Sequence, residues 1–493
     1  MQTPSWTPDL AGFAGPRYLA LANSIATAIV DGKLTPGARL PTQRQLARRL
    51  NLNIGTIAKA YAEAARRGWI RGTVGSGTIA LSIYAPKTRS AAHQTTVQPF
   101  ENGAGFATLA SPDAGRAGAS GRAADLSFFR LPVGPERAWM QRQSAAAYEL
   151  WSEDPAENRN PFNMMEDFHH VSRYLSELAS ARISRDHVLT YYSFDTAIAA
   201  VLGACAKAGD RIAAATLVSP SFLRIANDLN LEVIGLHSDE HGLLPESVEL
   251  ACWSRPLRAL IVQPDGAFGT GAVMPARRRQ QIAEIARKFD VTVLEDGAPG
   301  MLRDRAAPSL FSFNAQHVVF LAGLSVGLSR FLNPSFLVFG EGNALFGPLS
   351  ATSLIDQPNF VDRFLVAECF AAGLHRELAT WHKHETHQRA AIAAAVFGSA
   401  LNGSAAGYQC AVKLPNGWSG DLAVTRLRKT GLSIGEPAAY SLDGGLSGPL
   451  GRDRPQQLVF GLGAGGSLSV LKRDLAAAAD IIGGTARPPA AKA

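Results

Sequence analysis

The stretch RLPTQRQLARRLNLNIGTIAKAYAEAARRG, residues 39–68, holds two short amphipathic segments joined by a tight turn. Thr42 and Gln45 stand three apart ahead of the first, the spacing at which a hydroxyl and a side-chain amide each accept the other residue's backbone N–H. Leu46 and Leu50 then share a helix face. Asn53 is placed to cap the second segment, Ile57, Tyr61 and Ala64 or Ala65 line one side of it, and Gly68 closes it. Two helices joined in this way make a helix-turn-helix.

Working outward, Leu21, Ala22, Ile25 and Ile29 recur at helical spacing from Tyr18, and Gly32 with Pro36-Gly37 ends that pattern. Downstream, Trp69-Ile70-Arg71 and Thr78-Ile79-Ala80 flank a glycine turn at Gly75-Ser76-Gly77, which reads as a β-hairpin wing. Residues 1–80 carry ten Lys/Arg against three acids, so the whole formal charge of +7 sits there. A basic head on a neutral body points to a polyanion, with a solvated basic face as the plain alternative.

The geometry of such a head assigns roles on double-stranded DNA. The first turn of the third helix enters the major groove and turns Asn53, Gly55, Thr56 and Lys59 toward bases and phosphates. Thr42, Gln43 and Arg44, opening the second helix, meet phosphates with free N–H groups and positive charge, and Arg39 joins this set. Gly75, Ser76 and Gly77 let the wing backbone approach the minor groove. Tyr18 and the runs 32–47, 55–68 and 75–80 resemble the GntR class of winged-helix transcription regulators. Ile54 stands where many members of that class carry an arginine that reads a guanine; it either meets a thymine methyl or packs inside.

A chain of 493 residues that is 46% hydrophobic implies at least two domains. The expected division is 1–80 for the winged helix-turn-helix, 81–123 for a flexible linker rich in Ala, Gly, Ser, Thr and Pro, and 124–493 for the body. An ordered strap is the alternative for 81–123. From Asp125 onward, β-like runs (HVLTYY, RIAAATLV, EVIGL, ALIVQ, VTVLED, VVFLAG, SFLVFG) alternate with helical ones, the pattern of an α/β fold with a mainly parallel sheet. Ligand sites in such sheets lie at the carboxyl ends of strands. Cys205, Cys252, Cys369 and Cys410 have neither disulfide nor zinc spacing and read as buried thiols. No leader-like start and no long uncharged apolar run occurs, so a cytoplasmic protein with no membrane partner and no metal is expected.

The order of landmarks in the body is similar to the fold-type I aminotransferases, and behind a GntR head it resembles the MocR regulators. The resemblance implies a site for pyridoxal phosphate (PLP), onto which the residues map one by one. Asp296 fits the aspartate that pairs with the pyridine nitrogen, and Phe222 the aromatic that stacks on the ring. Ser193-Phe194-Asp195 occupies the phosphate-binding turn, where glycine is usual. Phe268 stands for an asparagine, Ala298 for a tyrosine, and Val459 for the arginine that grips a substrate carboxylate. The Schiff-base lysine is Val326; Asn333 replaces a phosphate-binding arginine, with Arg330 as a displaced substitute.

No lysine lies between Lys288 and Lys383, so no local shift restores the amine. Transamination needs that amine as anchor and proton shuttle. The expectation is therefore a DNA-binding regulator and not an enzyme, acting as a homodimer, with no covalent cofactor and with an unidentified small-molecule effector or a purely scaffolding body. Noncovalent PLP on Asp296 and the stacked ring stays open, as does a PLP-dependent enzyme carrying a DNA module. For Asp296, capping of the loop after its strand is the structural alternative.

Overall fold

The computed structural model describes residues 6–8, 16–30, 33–35, 38–66, 69–73, 77–80, 126–127, 131–153, 165–303, 307–353, 356–442, 457–463 and 467–483. The expected linker at 81–123 and the wing-turn residues Gly75 and Ser76 lie outside them. The chain divides into two compact units, 1–107 with 244–257, and 108–243 with 258–493.

In the first unit, α1 (Arg17–Val30), α2 (Gln43–Leu50) and α3 (Ile54–Arg66) precede a hairpin of β1 (Ile70–Thr73) and β2 (Gly77–Ala80), antiparallel with Ile70 opposite Ala80. Leu21, Ile25, Leu46, Ile57 and Ala60 are fully buried together and form the core between the helices. The hairpin gains a third edge at Arg39, which bridges Ile79, with Leu40 N–H donating to Thr78 O at 2.8 Å. Tyr61, buried on α3, donates from its hydroxyl to Pro41 O at 2.6 Å and so fixes the entry to α2. A buried phenol without a partner would be costly, which is why this bond sets the angle between the helices.

The second unit is built on seven strands: β3 (Val188–Tyr191), β4 (Arg211–Ala215), β5 (Glu232–Leu236), β6 (Ala259–Val262), β7 (Thr292–Asp296), β8 (Val318–Gly323) and β9 (Ser335–Val338). Their order across the sheet is β3-β9-β8-β7-β6-β4-β5. Pairs β8/β9 and β9/β3 are antiparallel and the others parallel, so β9 alone runs against the rest. The expectation of a mainly parallel sheet therefore holds. The central strands β6 and β8 are buried at every position, as strands covered on both faces must be.

Helices follow the parallel strands, among them Phe194–Cys205, Pro220–Asp228 and Ala276–Phe289. Arg279 on the last is fully buried; it pairs with Asp265 at 2.7 Å and donates to the carbonyls of Met274 and Pro264. Those bonds shape the loop that follows β6. Cys369 and Cys410 are buried, but Cys205 and Cys252, near the C-terminal ends of their helices, are only half-buried. Strands 401–406, 409–413 and 457–461 form a separate antiparallel sheet near the C-terminus. Among the described residues, no helix is long and apolar enough to cross a membrane.

Candidate nucleic-acid interface and the aminotransferase-like pocket

The opening turns of α2 and α3 carry most of the residues singled out on the head. Thr42 caps α2: its hydroxyl accepts from Gln45 N–H at 3.3 Å, and Gln45 Oε1 accepts from Thr42 N–H at 2.9 Å. This capping box consumes the Thr42 groups expected to meet a phosphate. The amides of Gln43 and Arg44 lie in the first turn, where a helix supplies no carbonyl of its own. Both side chains are exposed, as are Arg39, Asn53, Gly55 and Lys59, while Thr56 is half-buried. Asn53 Oδ1 accepts from Gly55 N–H at 2.8 Å and caps α3. Ile54, the first residue of α3, is 48% exposed, so it does not pack inside. Gly77 opens β2, on the far side of the wing turn.

In the body, the strand ends bring the mapped positions together. Asp296 ends β7 and is 3% exposed. Its Oδ2 accepts from Gln263 Nε2 at 2.8 Å and its Oδ1 from Ala298 N–H at 3.0 Å. Burial pushes its carboxyl up to about 6, against the lowering pull of those two bonds. The neighbouring Glu295 accepts from the amides of Leu310 and Phe311 and caps the short helix there.

Ser193 caps the helix Phe194–Cys205, exchanging bonds with Thr196: Ser193 N–H donates to Thr196 Oγ1 at 3.1 Å, and Thr196 N–H to Ser193 Oγ at 3.2 Å. Asp195 in the same first turn pairs with Arg224. Phe194 points inward and meets Phe222 edge-to-face, centroids 6.0 Å apart. A methyl group added at Gly323 would overlap the Phe194 ring and stand 3.0 Å from Val326 Cγ2. Phe194 thus lies against the positions mapped to the ring-stacking aromatic and to the end of the lysine-bearing strand. Val326 itself sits in the short helix Leu324–Gly327, half-buried against the same core, and Arg330 just beyond is exposed.

Phe268 and Val459, mapped to a cofactor amide and a substrate-gripping guanidinium, are neighbours in one apolar cluster with Leu217, Ala411 and Tyr440. Tyr440 covers Phe268 at 6.1 Å and accepts from Val459 N–H at 3.1 Å. Beside them a cavity lined by Leu217, Gln263, Phe268 and Met274 encloses about 20 Å³, room for about one water. Gln263 and Tyr440 were not singled out in the sequence. For Gln263 the available signal was a polar residue closing the apolar run ALIVQ.

Residues 17–79 match the bacterial regulatory proteins of the gntR family. The HTH-type transcriptional regulator YdeF of Bacillus subtilis is 29% identical over 335 residues, 68% of this chain and 67% of its own length. The pyridoxine biosynthesis transcriptional regulator PdxR of Corynebacterium glutamicum is 23% identical over 285 residues, 57% of this chain. The chain spans 56% of PdxR, somewhat over half. An archaeal alanine:glyoxylate aminotransferase superposes with a TM-score of 0.65 at 16% identity, covering 78% of this chain and 96% of that one. The kynurenine aminotransferase of Pyrococcus horikoshii gives 0.63 at 14% identity, over 79% and 96%.

The chain has the architecture of the MocR regulators. A GntR helix-turn-helix opens it, and a fold-type I aminotransferase-like domain follows. That fold implies PLP, and the residues of this body do not fit it. Val326 stands at the position that the resemblance maps to the Schiff-base lysine. Both Asp296 oxygens are bonded within the protein, the helix start that would face a dianionic phosphate carries Asp195, and Phe194 fills the space between Phe222 and Gly323.

Proposed function

We propose that the chain is a DNA-binding transcriptional regulator of the GntR/MocR type. In this reading residues 1–80 bind double-stranded DNA, 81–123 connect, and the body of 124–493 pairs two copies and answers a small-molecule effector without covalent PLP. The observation that carries it is the row of exposed groups on two adjacent helix starts, Gln43, Arg44 and Asn53, with Lys59 exposed in the second turn of α3, within the segment that matches the gntR family. Helix N-termini and cations on one face suit phosphates, and the start of α3 suits a major groove. Arg39, Gly55, Thr56, Gly75, Ser76 and Gly77 complete the interface, and Thr42 serves it by holding the start of α2 through its capping box.

A dimer presents two such heads to two half-sites, and joining them multiplies effective affinity. A valine at the position mapped to the lysine, and Phe194 packed between Phe222 and Gly323, support a body that is not an enzyme. The test uses the full chain. Sedimentation is expected to give a dimer, and duplex binding to weaken steeply with salt. PLP added to the protein is expected to leave no adduct after borohydride reduction; a trapped adduct with turnover of an amino acid would sink the reading. Metabolites that raise the melting temperature would identify the effector.

A further inference from the structure

Among the described residues of 1–107, Ile54 is the one large apolar side chain that stands exposed. It is the first residue of α3, and the exposed residues beside it are polar or lack a side chain. Asn53 Oδ1 is engaged by Gly55 N–H at 2.8 Å, Gly55 has no side chain, Thr56 is half-buried, and Lys59 lies more than a turn further along. Neither the core nor the cap uses Ile54: Leu46, Ile57 and Ala60 fill the interior without it. An alkyl group that projects from the start of a groove-entering helix can read a base only by apolar contact.

Resting on the DNA-binding reading above, we infer that Ile54 is a specificity-determining residue that reads a C5-methyl group, that of thymine, at one base pair of each half-site. Of the groups a base pair shows in the major groove, only that methyl is apolar. Guanine offers two acceptors there, which an isoleucine would desolvate without returning a hydrogen bond. The position therefore selects for thymine and against guanine.

The test starts from full-length protein and a randomised duplex pool, from which bound sequences are enriched. Each enriched thymine is then replaced singly by deoxyuridine, which lacks only the methyl, and affinity is read by fluorescence anisotropy. One thymine per half-site is expected to lose about fourfold in affinity, the factor that one buried methyl contributes. Ile54→Ala should make that replacement neutral, 5-methylcytosine at the same place should bind better than cytosine, and Ile54→Arg should move the enriched base to guanine. A motif in which no thymine is methyl-sensitive, or one equally sensitive in Ile54→Ala, overturns this inference and leaves the DNA-binding reading standing. Failure to enrich any sequence, with no duplex bound at low salt, overturns both.

Discussion

Gln263 Nε2 donates to Asp296 Oδ2 at 2.8 Å, and the Ala298 amide holds the other oxygen at 3.0 Å. The carboxyl is buried and titrates near 6, above the ordinary 3.8. The folded state therefore binds this proton more tightly than the unfolded one. Its contribution to stability is complete below about pH 4 and is lost as pH rises through about 6. Gln263→Ala removes a donor that matters most to the charged form. Urea unfolding should show a loss of about 1.5–3 kcal/mol at pH 8 and about 0.5–1.5 kcal/mol at pH 4. Equal losses at the two pH values would show that Gln263 does not serve the ionised carboxylate.

Phe194 belongs to the main core of the body, 7% exposed and set edge-to-face on Phe222. Phe194→Ala should cost about 3–5 kcal/mol, a lost aromatic plus the void it leaves. A cost below 1 kcal/mol, about that of a surface truncation, would place the ring outside the core.

Val459, which the resemblance maps to a substrate-gripping arginine, lies in a wholly apolar cluster apart from the Tyr440 hydroxyl. Restoring a guanidinium by Val459→Arg would bury a charge among Leu217, Phe268, Ala411 and Tyr440, none of them anionic. The variant should lose about 3–5 kcal/mol, whereas Val459→Leu should lose less than about 1.5 kcal/mol. Melting curves of the two decide the matter; an arginine variant as stable as wild type would mean that the cluster opens to water.

On the head, Thr42 and its neighbours should behave differently. Thr42→Ala removes the α2 capping box and should cost about 1 kcal/mol of stability. Arg44→Ala and Lys59→Ala, at exposed positions, should leave stability within about 0.5 kcal/mol. Each should instead weaken binding to every duplex alike and lower the slope of log affinity against log salt by about 0.9. A changed sequence preference with an unchanged slope would assign these side chains to bases.

What was legible in the sequence was what is local. The capping pair Thr42 and Gln45 lies within one helical turn, and the seven apolar runs mark all seven strands of the sheet. The reversed direction of β9 was not legible, because the run SFLVFG reads alike in either orientation. Gln263 and Asp296 are 33 residues apart, and nothing in the period of either strand announces their bond. The inward turn of Phe194 was missed for a related reason: a residue just after a helix cap can face either way, and only the glycine at 323 makes room for it. The sequence allows Ile54 two roles, and its exposure removes one.

If the body takes no PLP, as proposed, its core is completed by Phe194, a part of the polypeptide itself, and folding needs no vitamin-derived guest. The protein's abundance in a cell should then be indifferent to vitamin supply.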